Sequence, residues 1–139
     1  MPSLASILTH LYPGITIGPV GEGDCSILRQ SDGEHVIAHW ARQEPQPTAQ
    51  DLAGAAVSAT KAERIAAINA ECRSRLLARY GPAEEQVSRA IGVYGATEQS
   101  DMQAGIAATI DASNTASNAV LAAADIAAVE AVAVTWPSI

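Results

Sequence analysis

Phenylalanine is absent from this 139-residue chain, and aromatic residues together make up only 4% of it. Apolar residues reach 48%, but alanine supplies much of that share, so a core has to be assembled from Ile, Val, Leu and a few rings. Such a core is thin, and a partner or an oligomer could complete it. The length allows one ordinary domain, or a small module with a helical appendage, and excludes two full enzyme domains. Basic residues are scarce as well. The 8 Lys and Arg stand against 15 Asp and Glu, for a formal net charge of −7 and a pI near 4.7. Phosphate binding depends on clustered Lys and Arg, so this balance argues against nucleic acid as a partner.

Cysteine is limited to Cys25 and Cys72, which lack a Cys-x-x-Cys or Cys/His ligand spacing. Neither a disulfide framework nor a zinc site is indicated, and both thiols are expected to be reduced and structural. Long apolar runs are missing too. Met1 to Tyr12 has no basic n-region, and Ser6, Thr9 and His10 interrupt its apolar residues, so no secretory signal is expected and the protein should stay where it is made. The longest apolar tract, Ala119 to Val134, is mostly alanine and contains Asp125 and Glu130. It falls short of the roughly twenty strongly apolar residues of a membrane span, and is expected to be a packed helix. No repeat of fixed period is present beyond helical stripes.

The most informative stretch runs from Ser26 to Leu52. Two runs with β-branched and aromatic residues flank Ser31-Asp32-Gly33, and an Asp-Gly pair between apolar runs is a strong hairpin signal. Strict alternation along the second arm would put Val36, Ala38 and Trp40 on one face and His35, Ile37 and His39 on the other. Glu44-Pro45-Gln46-Pro47 should then be extended, since proline fixes its own φ and moves its predecessor out of the helical region. Thr48, with Asp51 three residues on, resembles a capping box that opens a helix.

A polar-turn hairpin ending in Trp, a short polar spacer, a Pro-Gln-Pro-Thr strap and an acidic-Leu helix start resemble small tail-accessory proteins of bacteriophages and prophages. These include the short proteins encoded beside tail-fibre genes and the tail-fibre assembly chaperones. The resemblance covers Leu4 to about Leu52, with Leu11-Tyr12-Pro13 also fitting, and rests on Asp32, Gly33, Ile37, Trp40, Pro45, Gln46, Pro47, Thr48 and Leu52. It implies a phage tail protein that acts by protein–protein contact, whose partner is a tail-fibre or baseplate protein. The alanine-rich second half goes beyond the minimal form of that family.

Around this unit, Ser3 should cap a short helix with Leu4, Ile7, Leu8 and Leu11 at helical spacing, stopped by Pro13-Gly14 and lying on the hairpin. Ile15 to Val20 offers at most an irregular edge strand and reads as mostly loop, broken by Gly18, Pro19, Gly21 and Gly23. From Thr48 the chain reads helical, with a soft spot near Gly54 and Ser58 and a second capping box at Thr60-Lys61-Ala62-Glu63. Ile65, Ile68, Cys72 and Leu76, with Tyr80 a further candidate, form a narrow stripe with charged flanks, which suits intramolecular core or, less commonly for so short a stripe, an oligomer seam. Gly81 should end this helix and Pro82 open the next, with Val87, Ile91 and Tyr94 as its buried face and Gly92 and Gly95 weakening and ending it. The last helical region should start at Ser100-Asp101. There Met102, Ile106 and Ile110 share a face that Val120, Leu121, Ala124 and Ala128 continue, with an interruption at Asp111 to Asn114 and Trp136 arriving at the end.

The candidates for chemistry weigh toward bland readings. His35 and His39 would stand roughly 13 Å apart along a strand, too far to share a metal, and His10 is a lone helix residue. Glu84 and Glu85 suit the positive end of a helix dipole. Gly18 to Gly23 lacks a phosphate-loop pattern, and Asp24, Asp32 and Glu34 lack calcium-loop spacing. Cys25 or Ser26 near His39 lacks an orienting third group or an oxyanion site. No catalytic residue, metal or cofactor is therefore expected. Trp40 with Pro45 and Pro47 suits either a strapped core or a docking site.

The fold expected is α+β: a helix and β-hairpin module with a proline strap over residues 1–47, then a mainly α-helical region, a helical hairpin or bundle, over 48–139. The residues expected to meet a partner, a tail protein or a second copy, are Trp40, Pro45, Pro47, Ile65, Ile68, Leu76, Met102, Ile106, Ile110 and Trp136.

Overall fold

The computed structural model describes residues 1–138 and bears out an α+β architecture: a short helix, a two-stranded antiparallel hairpin and then helices. Two compact units form, Met1–Thr60 and Lys61–Ile139. The division lies inside a helix, whereas the sequence reading divides the chain after the strap at Pro47. Leu52, from that helix's first turn, packs on the core of the first unit, so the start of the helix belongs with the hairpin.

In the first unit, α1 (Leu4–Leu11) is capped as expected, the Ser3 hydroxyl accepting from Ser6 N at 3.1 Å. Its Leu8 is fully buried with Ile15 and Cys25, and Leu4, Tyr12, Ile27, Ile37, Trp40 and Leu52 pack around them. β1 (Cys25–Arg29) pairs with β2 (His35–Trp40). Ile15 to Val20 is loop apart from a single parallel bridge between Ile17 and Cys25.

The expected alternation along β2 fails at one residue. Ile27 pairs with Ile37 but Ser26 pairs with His39, so Ala38 is an extra residue, a β-bulge. A bulge shifts the parity of everything beyond it. Ile37 and Trp40 therefore share the core face with their partners Ile27 and Cys25, and Ala38 is exposed.

The hairpin turns where the sequence places it. Gly33 N donates to Gln30 O at 3.0 Å, Asp32 Oδ1 accepts from Glu34 N at 2.9 Å, and Gly33 has φ +92°. A β-branched side chain is strained at such an angle, so Gly33→Val is expected to cost about 1–3 kcal/mol. Thermal unfolding followed by circular dichroism checks this, and a variant that melts with the parent would remove the turn assignment.

Helix α2 (Ala49–Tyr80) opens with the reciprocal cap expected at Thr48 and Asp51: Thr48 N donates to Asp51 Oδ2 at 2.8 Å and Asp51 N to Thr48 Oγ1 at 3.2 Å. It runs on through Gly54, Ser58 and Thr60 without the expected restart. Thr60 is helical, and its hydroxyl donates back to Ala56 O at 2.8 Å instead of capping.

In the second unit α2 ends at Tyr80 before Gly81, and α3 (Ala83–Ala90), α4 (Ala96–Ala122) and α5 (Ile126–Glu130) follow. α4 begins four residues before Ser100, after Gly95, because its first turn is tied to the end of α3 by an Arg89–Glu98 ion pair and a Gln99 to Ala90 O hydrogen bond. It is uninterrupted at Asp111 to Asn114. The tract Ala119 to Val134 is not one helix: the chain breaks at Ala123, Asp125 caps α5 through Ala128 N at 2.8 Å, and an extended segment ends the unit.

α2 and α4 pack as an antiparallel hairpin. Lys61 Nζ donates to Leu121 O at 2.8 Å, Ser113 Oγ to Asn69 Oδ1 at 3.3 Å and Cys72 Sγ to Thr109 O at 3.9 Å. Ile68, Ala116, Val120 and Val129 form the core. The α4 side of this hairpin buries Met102, Thr109, Ser113, Ala116 and Val120, not the expected Met102-Ile106-Ile110 stripe. Steps of four rotate a stripe by about 40° each around a 3.6-residue helix, and Ile110 ends 42% exposed. The alternating steps of four, three and four from Thr109 to Val120 stay on the seam. Leu121 and Ala124 are exposed as well.

Candidate functional site

In the first unit a cluster forms around the strap. The Trp40 ring meets Tyr12 edge-on at 5.3 Å between centroids, and its indole N–H donates to Glu44 O at 2.7 Å. Pro47 is buried and Pro45 is exposed, so only the second proline serves as packing. Arg42 grips Glu44 with two hydrogen bonds of 3.1 Å each, lies 3.5 Å from Asp24 and stands 5.4 Å above Tyr12. Two-pronged guanidinium–carboxylate pairing fixes the strap's entry as well as its charge. Sequence reasoning missed Arg42. Its only signal was position: two residues past Trp40 and two before Glu44.

Electrostatics follow from these contacts. Hydrogen bonds from Thr16 N–H and its hydroxyl, and then the charge of Arg42, hold the Asp24 carboxyl below its ordinary pKa. Arg42 does the same for Glu44, and Thr48 for Asp51. A depressed carboxylate contributes stability above its unfolded pKa and loses it as pH falls through the folded value. Acidification through and below the usual carboxylate range should therefore lower the melting temperature. Asp24→Asn, which keeps an acceptor for Thr16 but removes the charge, should flatten that dependence. A pH series of thermal melts tests this, and an unchanged slope would discard the assignment to Asp24.

The nucleophile candidates are not assembled. Burial, and then Asp24, push the Cys25 thiol up, which keeps it protonated. Ser26 Oγ is buried without a hydrogen-bond partner among the described residues, so no Ser26–His39 bond exists although the two residues are cross-strand partners. His10 and His35 are exposed, and among the described residues no three His, Cys, Asp or Glu converge as a metal cage.

In the second unit Ile65 and Ile68 line the α2 side of the helical hairpin, Ile68 at 1% exposure, and Leu76 is half-buried. Met102 is buried, Ile106 half-buried and Ile110 exposed. Trp136 packs on the Ile68 core, with the Arg75 guanidinium 5.0 Å from its ring centroid. The expected buried face of α3 is instead open to water: Val87, Tyr94 and Val93 are more than half exposed and Ile91 is 72% exposed. Their helical spacing predicted burial, but among the described residues of the second unit no element covers that side. The helix does end at the glycines expected to weaken and end it, Gly92 and Gly95 taking φ +81° and +105°.

The hairpin, the half-buried Trp40, the buried Pro47 and the capped α2 lie in one continuous segment. Residues 4–64 match the family model of the XkdW protein. That family is phage-derived, and the match is consistent with a phage protein. The XkdW match takes in α1, the hairpin, the strap and the first half of α2, and leaves α3, α4, α5 and the final extended segment outside it. No curated protein and no solved structure matches the chain.

Proposed function

We propose that this chain is a phage tail accessory protein that works by protein–protein contact, specifically a tail-fibre assembly chaperone or a fibre-associated protein. The observation that carries this reading is the XkdW match over residues 4–64, which spans the hairpin, Trp40 and strap. Its partner is a tail-fibre or baseplate protein, met in the host cytoplasm during assembly. The exposed apolar group Val87, Ile91, Val93 and Tyr94 supports a contact role, since contiguous apolar surface is where proteins meet partners. A permanent tail or baseplate component is the second reading, favoured by the same match.

Mass spectrometry of purified particles separates the two. A chaperone is absent from particles while its fibre protein accumulates in soluble form only when the two are co-expressed. A fixed copy number per particle would replace the chaperone by the structural component. Fibre protein that is soluble and assembles without this chain, from particles that lack it, would sink both.

Catalysis is no part of this proposal, because Arg42 neutralises Glu44 and lies beside Asp24, and the Cys25 thiol is buried. Changing His10, His35 and His39 together to alanine should leave partner binding and metal content as they were. Stoichiometric transition metal, lost in the triple variant, would favour a small enzyme or ligand-binding protein instead.

A further inference from the structure

Helix α3 ends in a reversal that gathers its open apolar residues. Val93 N donates to Ser88 O and Gly92 N to Arg89 O, each at 3.1 Å, with Ile91 as the C-cap. This Schellman pattern folds the second residue past the cap back toward the last turns of the helix, which sets Val93 on the side of Val87. Ile91 stands one turn after Val87 on the same face. Tyr94 lies under the Arg89 guanidinium, whose Cζ is 5.4 Å from the ring centroid. All four side chains stay more than half exposed. Around them charge has one sign. Glu84 and Glu85 open α3 and are exposed, Glu84 one turn before Val87. Arg89 is the last Lys or Arg of the sequence, and Glu98 pairs with it. Beyond Arg89 every charged residue is an acid: Glu98, Asp101, Asp111, Asp125 and Glu130.

We propose that Val87, Ile91, Val93 and Tyr94 seat an apolar segment of the partner protein that carries Lys or Arg on its flanks. The inference rests on the contact reading above and adds the partner's chemistry to it. The surface these side chains leave in water is on the order of the 300–600 Å² that the largest apolar patch of a monomer reaches, short of the about 800 Å² per partner of a standard interface. The rest of a stable contact must come from the polar rim, and the charge of that rim selects the partner. Here the rim offers Glu84 and Glu85, while the one cation beside the patch, Arg89, already has Glu98. A second copy turned to this face by a two-fold axis would bring the same acids against them, in a chain of formal net charge −7. A segment with basic flanks gains attraction at the rim and buries the apolar centre. Exposed Glu84 and Glu85 thereby act as the selecting residues, and Ile91, the most exposed of the four, as the anchor.

Selection of a displayed library of random peptides on the immobilised full chain tests it, followed by fluorescence anisotropy with the most enriched sequence made as a synthetic peptide. The expected peptides carry apolar residues flanked by Lys or Arg. Ile91→Ser should weaken binding about tenfold or more, the effect of losing one buried apolar side chain. Glu84→Gln with Glu85→Gln should weaken it as well and reduce its salt dependence, and thermal melts of both variants should follow the parent because the side chains are exposed. Enrichment of acidic or uncharged peptides overturns the proposal, as does no enrichment or binding that Ile91→Ser leaves unchanged. Self-association in sedimentation velocity that Ile91→Ser abolishes would also overturn it, by giving the seat to a second copy. Absence of the chain from particles and from fibre complexes would remove the tail reading but leave the peptide result standing, so the two fail separately.

Discussion

Ile68→Asp is expected to unfold the helical hairpin of the second unit. Ile68 is 1% exposed, at the centre of the cluster with Ala116, Val120 and Val129, with Ile65, Val132, Val134 and Trp136 packed around it. Truncating such a residue to alanine costs about 2–5 kcal/mol through lost transfer energy and a cavity. A carboxyl there adds the cost of burying a polar group with no partner, and the group responds by raising its pKa and staying neutral. The loss should exceed that of Ile68→Ala, against a total stability of about 5–15 kcal/mol for a typical domain. A raised folded-state pKa places the penalty at pH values above the unfolded one, so the variant should recover part of its stability on acidification. Urea titrations of both variants at two pH values read this out. An aspartate no worse than alanine, with no recovery at low pH, would mean that the site is open to water.

Gly105→Ala is expected to destabilise the same unit, against the usual direction. Replacing glycine inside a helix normally gains about 1 kcal/mol from backbone entropy and helix propensity. Here a Cβ on Gly105 would strike the Tyr80 hydroxyl and stand 3.1 Å from Tyr80 Cζ and 3.4 Å from Arg79 Cζ. Tyr80 is 6% exposed, so its ring has little room to withdraw. Overpacking of this kind costs about 1–3 kcal/mol, enough to reverse the sign, and Gly105→Val should be worse. The Tyr80 hydroxyl is buried without a hydrogen-bond partner among the described residues, so Tyr80→Phe should be neutral or stabilising, and should rescue Gly105→Ala. A double-mutant cycle on denaturation midpoints checks the coupling. Additive effects of the two changes would show that Gly105 and Tyr80 do not share this contact.

The features legible in the sequence are those settled within about four residues. The turn at Asp32-Gly33, the caps at Ser3 and at Thr48 with Asp51, and the stop at Gly81 all appear where side-chain chemistry puts them. Trp40 was legible as the end of the hairpin, and its indole N–H reaches only four residues on, to Glu44 O at the start of the strap. Arg42 was not, because its partners Glu44, Asp24 and Tyr12 converge only once the hairpin has formed.

The sequence by itself determined the order of α1, the hairpin and the long helices, the hairpin turn and the capped starts at Ser3 and Thr48, because each depends on local backbone sterics and hydrogen bonds. The tertiary structure alone decided which faces are buried. Its bulge at Ala38 brought Ile37 and Trp40 to one side, and its close helix approach chose Thr109 and Ser113 over Ile110. It also left Val87 and Ile91 in water and drew Val132, Val134 and Trp136 onto Ile68 as an extended segment. Hydrophobic spacing states what a face could bury, but burial requires a second surface at the right distance, and in a chain so rich in alanine that surface is set by how closely two backbones can approach.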